Sequence, residues 1–219
     1  MEHLPILLPA LFISTAFLTL WLLYRAALNK KRLLLTISIW LLLQAILSLA
    51  GFYLVTSGNP PRFALLLFPP LILSLYVVFF RSENFDIKKL ALLHIVRLPV
   101  ELVLYGLYVY DAVPQLMTFE GGNLDILSGL SAPFIYYFAF VKQSLSRGWL
   151  VAWNVVCLLL LFNIVGRAIL SAPFSFQRFG FEHPNMALLY FPYSWLPAFV
   201  VPAVLFAHLI TLRRFIFNK

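Results

Sequence analysis

The chain has 219 residues, of which 63% are hydrophobic and only 11% are charged, and its net charge is +8. Its mean hydropathy is +0.94, whereas a soluble domain carries roughly a quarter charged residues. This composition excludes a soluble protein with a single core. The positive charge then indicates contact with anionic lipid rather than with nucleic acid.

Seven apolar runs of about 20 residues follow one another, each long enough to cross a bilayer as a helix. They lie at about 4–24, 34–56, 63–81, 90–110, 125–142, 149–171 and 187–212. The short alternating segments of a membrane β-barrel are not visible. The sequence therefore predicts an all-α, polytopic bundle of seven transmembrane helices, a single membrane domain over residues 1–219 with no soluble module attached.

The distribution of basic residues predicts the orientation of the bundle. Most of the 16 lysines and arginines fall in alternate linkers such as LNKKR and FDIKK, whereas the opposite linkers contain only Arg62 and Arg178. Cytoplasmic loops of membrane proteins are enriched in lysine and arginine. We therefore expect the N-terminus outside and the C-terminus inside.

An internal repeat is indicated by two segments that each open an apolar run. FALLLFPPLI at 63–72 resembles MALLYFPYSW at 186–195. If this similarity reflects a duplication, spans 1–3 and 5–7 are parallel repeats joined by span 4. Such repeats occur in transporter folds, so the sequence favours a 3+1+3 arrangement.

Span 4 carries a stripe of polar residues in an otherwise apolar sequence, HIVRLPVELVLYGLYVY. On a helix, His94, Arg97, Glu101, Tyr105 and Tyr108 fall within one arc of about 80°. A charge at the centre of a membrane helix costs about 2.5–3.5 kcal/mol. The stripe should therefore face protein or trapped water, with its charges paired.

Arg97 and Glu101 are four residues apart and could pair with each other, and Pro99 between them removes a backbone donor. One interpretation is a structural ion pair that joins span 4 to its neighbours. The other is a pathway for solute or protons, which ionisable residues inside membranes often line.

Other polar residues could face this stripe. Asn163 and Arg167 share a face of span 6, and Arg167 could neutralise Glu120 or Asp125 of the long outer loop or extend to the interface. Both acids could equally be solvated loop charges. Pro192, Pro197 and Pro202 predict a repeatedly interrupted last helix that acts as a gate or hinge.

A haem site is the alternative that the histidines suggest. His94 and His208 are expected at similar depths on different helices, so they could ligate a b-type haem axially. The structural alternative is that both histidines are ordinary hydrogen-bonded residues near helix ends. No cofactor is required by the sequence, and no metal site is predicted, since zinc would need further ligands than Glu101.

Three segments carry a family resemblance: HIVRLPVELVLY, LMTFEGGNLDILSGLSAPF and HPNMALLYFPYSWLPAFVVPAVLFAHL. They resemble an uncharacterised family of bacterial seven-helix membrane proteins. This resemblance implies a location in the bacterial inner membrane but no particular activity. The 3+1+3 plan is also similar to SWEET sugar facilitators, nicotinamide-riboside-type vitamin transporters and rhodopsins. The last span has no lysine for a retinal Schiff base, and the tryptophan-rich pattern of the vitamin transporters is missing.

These features favour a transporter or permease for an unknown small solute, coupled to protons through span 4. In this mechanism Glu101 carries the proton, Arg97 is its charge partner and His94 relays protons inwards, while Tyr105 and Asn163 contact solute. The alternatives are a haem-binding redox protein and a receptor or assembly subunit that contacts another chain, including a further copy of itself. No nucleophile elbow, HExxH, Walker or dinucleotide motif is visible, which disfavours an enzyme.

Overall fold

The computed structural model describes residues 3–58, 61–81 and 85–217. Within these ranges the chain forms eight α-helices: α1 (Leu7–Ala26), α2 (Lys30–Leu49), α3 (Ala64–Phe80), α4 (Ile87–Leu93), α5 (Arg97–Val109), α6 (Ile126–Tyr136), α7 (Arg147–Leu170) and α8 (Val201–Phe217). In this described part, β-type pairing is limited to an isolated bridge between Ala27 and Phe85. The all-α prediction is confirmed.

Helices α4 and α5 form one continuous span joined by a 3-10 turn, His94–Val96. Pro99 explains this tight turn, because it has no N–H and its ring clashes with the carbonyl four residues earlier, that of Ile95. The tightened turn keeps His94 and Arg97 on the same side of the span, since residues three apart eclipse in a 3-10 helix. The predicted polar stripe therefore survives the irregularity.

Five helical segments are long and apolar enough to cross a membrane: α1, α2, Ile87–Val109, α7 and Leu196–Ile216. Two shorter apolar segments, Ala64–Phe80 and Ile126–Val141, accompany them. Together they correspond to the seven predicted runs, which fits a multi-pass membrane protein. The 3+1+3 arrangement and the orientation stay predictions.

Two predicted boundaries are wrong. The second helix ends at Leu49, and Gly51, with φ of +70°, leads into a 3-10 turn, Phe52–Leu54, where the sequence predicted helix up to residue 56. The last helix does not begin at 187. Turns occupy that region, and a π turn, Leu196–Val200, leads into α8. Pro192 and Pro197 lack the backbone donors that a continuous helix needs.

Two spans form the centre of the bundle. The α4–α5 span packs against α1, α6 and α8, while α8 also packs against α3 and α7. Helix α2 lies at the periphery and exposes apolar side chains such as Leu35, Ile39 and Leu42. Such side chains suit contact with lipid tails. The polar stripe of span 4 is therefore held in the interior, next to α8.

Candidate functional site

The first three residues of the polar stripe are buried. His94, Arg97 and Glu101 are each exposed by 2% or less, whereas Tyr105 and Tyr108 are half-buried. The ring of Tyr105 stacks on Phe119 with 4.8 Å between centroids. The buried polar network described below is therefore built around the first three residues.

Arg97 pairs with Asp125, not with Glu101. The Nε atom of Arg97 donates to Oδ2 of Asp125 at 2.7 Å, and Nη2 donates to Oδ1 of the same carboxylate. Nη2 also donates to the carbonyl of Cys157 at 3.0 Å. The predicted Arg97–Glu101 pair is thus wrong for this conformation. A carboxylate from another segment offers both oxygens to the guanidinium, which is the strongest arrangement for an arginine.

Asp125 reaches Arg97 because the chain folds back into the bundle. Arg97 lies about 18 Å along the helix from Val109, the end of α5, at about 1.5 Å per residue. Residues 111–124, here called the returning loop, cover this distance in the opposite direction and end at Asp125, directly before α6. Irregular backbone at this depth is tolerated in membrane proteins where it is buried in protein. The interpretation of Asp125 as a solvated loop charge is therefore wrong.

Glu101 contacts the same loop through Asn123. Both oxygens of Glu101 accept from Nδ2 of Asn123, at 2.8 and 2.7 Å. The amide orientation is consistent on both sides, because Oδ1 of Asn123 accepts from the backbone N–H of Asp125 at 3.1 Å. Asn123 therefore links the carboxyl group of Glu101 to the backbone of Asp125.

His208 of α8 forms the other side of the network. The Nδ2 atom of Asn154 donates to the carbonyl of Leu150 at 2.8 Å, so Oδ1 of Asn154 faces Nδ1 of His208 at 2.9 Å. Nδ1 must then carry the hydrogen. Nε2 of His208 lies 3.2 Å from Nη1 of Arg97 and accepts from it. This pattern describes a neutral histidine with a defined tautomer.

His94 stacks on His208 with 3.9 Å between ring centroids and 25° between planes. Trp153 packs edge-on against His94 at 5.3 Å and donates to Oγ of Ser131 at 2.9 Å. Within the described part of the chain, Nδ1 of His94 has no hydrogen-bond partner. His94 is therefore buried, and its Nδ1 atom could still form a hydrogen bond.

The stacked histidines do not fit a haem. Axial ligands approach an iron from opposite faces of the porphyrin, whereas these rings lie face to face with no space for a macrocycle between them. Nε2 of His208 is also occupied by Arg97. No group of three or more His, Cys, Asp or Glu side chains in the described ranges is arranged to hold a metal ion.

Arg167 holds the returning loop in place. Its Nη1 atom donates to the carbonyls of Leu116 at 2.9 Å and Gly121 at 2.6 Å, and its Nε donates to Oδ1 of exposed Asn163 at 3.1 Å. Neutralisation of Glu120 or Asp125 was one of the two alternatives for Arg167, and its Nη1 atom binds backbone carbonyls instead. Asn163 supports Arg167 rather than facing the stripe.

Replacing Arg167 by methionine should loosen the returning loop. Hydrogen bonds to charged groups contribute about 1.5–3 kcal/mol each, and this change removes both contacts to the loop. We expect faster proteolysis within residues 111–124, measured by limited digestion and mass spectrometry of the purified protein. The exposed Arg178→Met is the control, and equal cleavage of both variants would contradict the clamp.

The three prolines of the predicted gate lie at the start of the last helix rather than within it. Pro192 precedes the π turn, Pro197 lies in it and Pro202 lies in the first turn of α8. The expected repeatedly interrupted helix is therefore wrong. A hinge at these prolines stays a prediction, now located in the segment that leads into α8 and in the first turn of α8.

Sequence reasoning missed Asn123, Trp153 and Asn154. Asn154 could have been identified as an amide inside the sixth apolar run, on the same helix face as Cys157 and Leu161. Asn123 had no such signal, because it lies in a segment rich in turn residues, EGGNLD. Only the path of the returning loop brings it to Glu101.

Comparison with protein families gives one finding. Residues 63–216 match the family described as a domain of unknown function (DUF8737), so the chain belongs to this family. The matched region contains α3 to α8 and every residue of the buried polar network. No curated protein and no solved structure matches the chain.

Proposed function

We propose that this member of the DUF8737 family is a proton-coupled transporter of a small solute. It would lie in the bacterial inner membrane as a 3+1+3 bundle, with its N-terminus outside and its C-terminus in the cytoplasm. The proposal rests on one observation: the buried polar network contains more carboxyl groups than arginines. Two buried carboxyl groups, Glu101 and Asp125, share a single cation, Arg97.

Charge balance assigns the proton to Glu101. Asp125 accepts two hydrogen bonds from Arg97 and is neutralised by it. Within the described part of the chain, the side chain of Glu101 receives hydrogen bonds only from the uncharged amide of Asn123. A buried carboxylate without a cation is costly, so a protonated Glu101 suits this conformation.

Movement of Arg97 would couple the proton to a change of conformation. Glu101 lies one helical turn from Arg97, so the guanidinium can reach either carboxylate. Loss of the proton from Glu101 would attract Arg97 away from Asp125 and release the returning loop. Binding of a proton would reverse this exchange, as expected of a two-state element biased by ionisation.

His94 is suited to pass protons between Glu101 and the cytoplasmic side. It lies about one helical turn before Arg97 and faces His208. Its free Nδ1 atom offers a position for a proton or a water molecule. A purely structural ion pair would need Arg97 and Asp125 alone, so the added Glu101 and His94 favour transport over that alternative.

Glu101→Gln should abolish proton movement without unfolding the protein. The amide cannot release a proton, but it can still hydrogen-bond to Asn123. The assay uses proteoliposomes loaded with a pH-sensitive dye, to which panels of polyols, amides, amino acids and organic acids are added. At least one panel should change the internal pH, and the variant should reduce that rate at least tenfold.

The control is Glu182→Gln, which changes an exposed carboxylate. Its rate should equal that of the unmodified protein, and the melting temperatures of all three proteins should agree. Proton movement that persists in Glu101→Gln would refute the proposed role of Glu101. A protein that moves no protons with any panel would favour the receptor or assembly subunit instead.

A further inference from the structure

A second group of buried polar side chains lies between α2 and the segment that leads into α8, residues 189–200, here called the entry segment. Three hydrogen bonds to backbone carbonyls join the two: Ser48 Oγ to Leu189 at 3.1 Å, Trp195 Nε1 to Leu41 at 3.0 Å, and Trp40 Nε1 to Ala198 at 2.9 Å. The contacts run antiparallel along one face of α2. Gln44 lies on that face between Leu41 and Ser48, so it faces the middle of the entry segment.

Three buried polar atoms on α2 and the entry segment have no partner in the described part of the chain. They are Nε2 of Gln44, the hydroxyl of Tyr193 and Oγ of Ser194. The three side chains are exposed by 0%, 2% and 0%. The other end of the Gln44 amide is occupied, because the hydroxyl of Tyr53 donates to its Oε1. Buried polar groups normally have partners, so three unpaired groups on two segments that pack together indicate a missing partner.

The residue types of these two segments indicate what kind of molecule could pair with the three atoms. Residues 33–61 and 184–207 contain no Asp, Glu, Lys, Arg or His, so a charged ligand would find no counter-ion on either segment. The free groups are an amide donor and two hydroxyls, which both donate and accept. Aromatic rings lie on the same segment: Phe191 and Trp195 are in edge contact at 5.2 Å, and the Tyr193 ring packs on Phe12 of α1 at 5.5 Å. A few directed polar groups among aromatic side chains are typical of small-molecule sites.

We infer that α2 and the entry segment form the binding site for an uncharged solute that carries hydroxyl or amide groups. The transport role of this site rests on the proposed function, whereas binding itself does not. The described conformation is the closed one, in which the three hydrogen bonds to carbonyls hold the entry segment on α2. Opening would separate Gln44 and the rest of this face of α2 from the entry segment.

The entry segment also connects this site to the buried polar network. It continues through the π turn into α8, which carries His208. Single π turns within helices are frequent at functional sites. A displacement of the entry segment would therefore be transmitted along α8 to the hydrogen bond between His208 and Arg97.

The test is binding to the purified full chain, measured by tryptophan fluorescence, since Trp40 and Trp195 both lie at the site. The probes are glycerol, glucose and acetamide, each paired with its charged counterpart: glycerate, glucuronate and acetate. We expect a saturable response to at least one neutral probe and none to its counterpart at tenfold higher concentration.

Tyr193→Phe is the informative variant, because it removes a hydroxyl that has no partner among the described residues. It should keep or raise the melting temperature and weaken binding of the neutral probe at least tenfold. Ser194→Ala should have the same two effects, and the exposed Tyr110→Phe should have neither.

Equal binding by a charged counterpart, or unchanged affinity in both variants, would overturn the inference. So would a raised melting temperature with no response to any neutral probe, which would mean that the groups hold ordered water only.

Failure of this inference can be separated from failure of the proposed function. If binding follows the expected pattern but Glu101→Gln still moves protons, the proposed function fails and the solute site stands. If Glu101→Gln blocks proton movement but Tyr193→Phe leaves binding unchanged, the solute site fails instead.

Discussion

Replacing Arg97 by methionine should lower the free energy of unfolding by about 3–5 kcal/mol, the usual cost of leaving one member of a buried ion pair without its partner. Asp125 is only 4% exposed, so water cannot readily take the place of the guanidinium. The change also removes donors from His208 and from the carbonyl of Cys157. The measurement is denaturation in detergent micelles, followed by tryptophan fluorescence.

A double variant separates the destabilisation caused by the unpaired charge of Asp125 from that caused by the other lost hydrogen bonds. Arg97→Met combined with Asp125→Leu should recover more than half of the lost stability, because replacing both members of a buried ion pair by apolar residues is often nearly neutral. The exposed Arg32→Met is the control and should change the free energy of unfolding by less than about 0.5 kcal/mol. A double variant no more stable than Arg97→Met alone would show that the pair is not the source of the loss.

Gly121→Ala should destabilise the returning loop by about 1–3 kcal/mol, as expected for a side chain forced into a packed site. A Cβ at this position would lie 2.1 Å from the carbonyl oxygen of Gln115 and 2.5 Å from Cα of Leu116. Both are backbone atoms, so the loop itself must move. Since the carbonyl of Gly121 accepts from Arg167, the same shift should weaken the clamp and accelerate proteolysis of residues 111–124.

Gly166→Ala provides the matched control, because a Cβ on this residue of α7 would meet nothing within 4 Å. Alanine favours a helix over glycine by roughly 0.5–1 kcal/mol, so this variant should be as stable as the unmodified protein or slightly more so. Equal unfolding midpoints for the two alanine variants would contradict the packing of Gly121 against the start of the loop.

The polar stripe illustrates what periodicity can predict. Because ionisable side chains in a membrane helix must avoid lipid, the spacing of His94, Arg97 and Glu101 was sufficient to predict their burial. The partner of Arg97 was not predictable in this way. An arginine pairs with whichever carboxylate the fold brings to it, and a sequence pattern along one helix describes only the candidates on that helix.

The histidines make the same distinction. Equal depth for His94 and His208 suggested two ligands on opposite sides of a cofactor, but depth says nothing about the distance between two helices. The packing of α4 against α8 decides that distance and places the two rings in contact. The tautomer of His208 depends in turn on Asn154 of a third helix.

The sequence by itself determined that this protein is all-helical and apolar enough for a membrane, and it located seven helical segments to within a few residues, apart from the end of the second and the start of the last. These properties are local, since each run needs only its own length and hydrophobicity to form a helix in lipid. The tertiary structure alone decided that the returning loop enters the bundle and brings Asn123 and Asp125 to Glu101 and Arg97. That path depends on contacts with α5 and α7 that lie far away in the chain, and turn residues such as Gly121 and Gly122 allow a loop to bend without specifying where it goes.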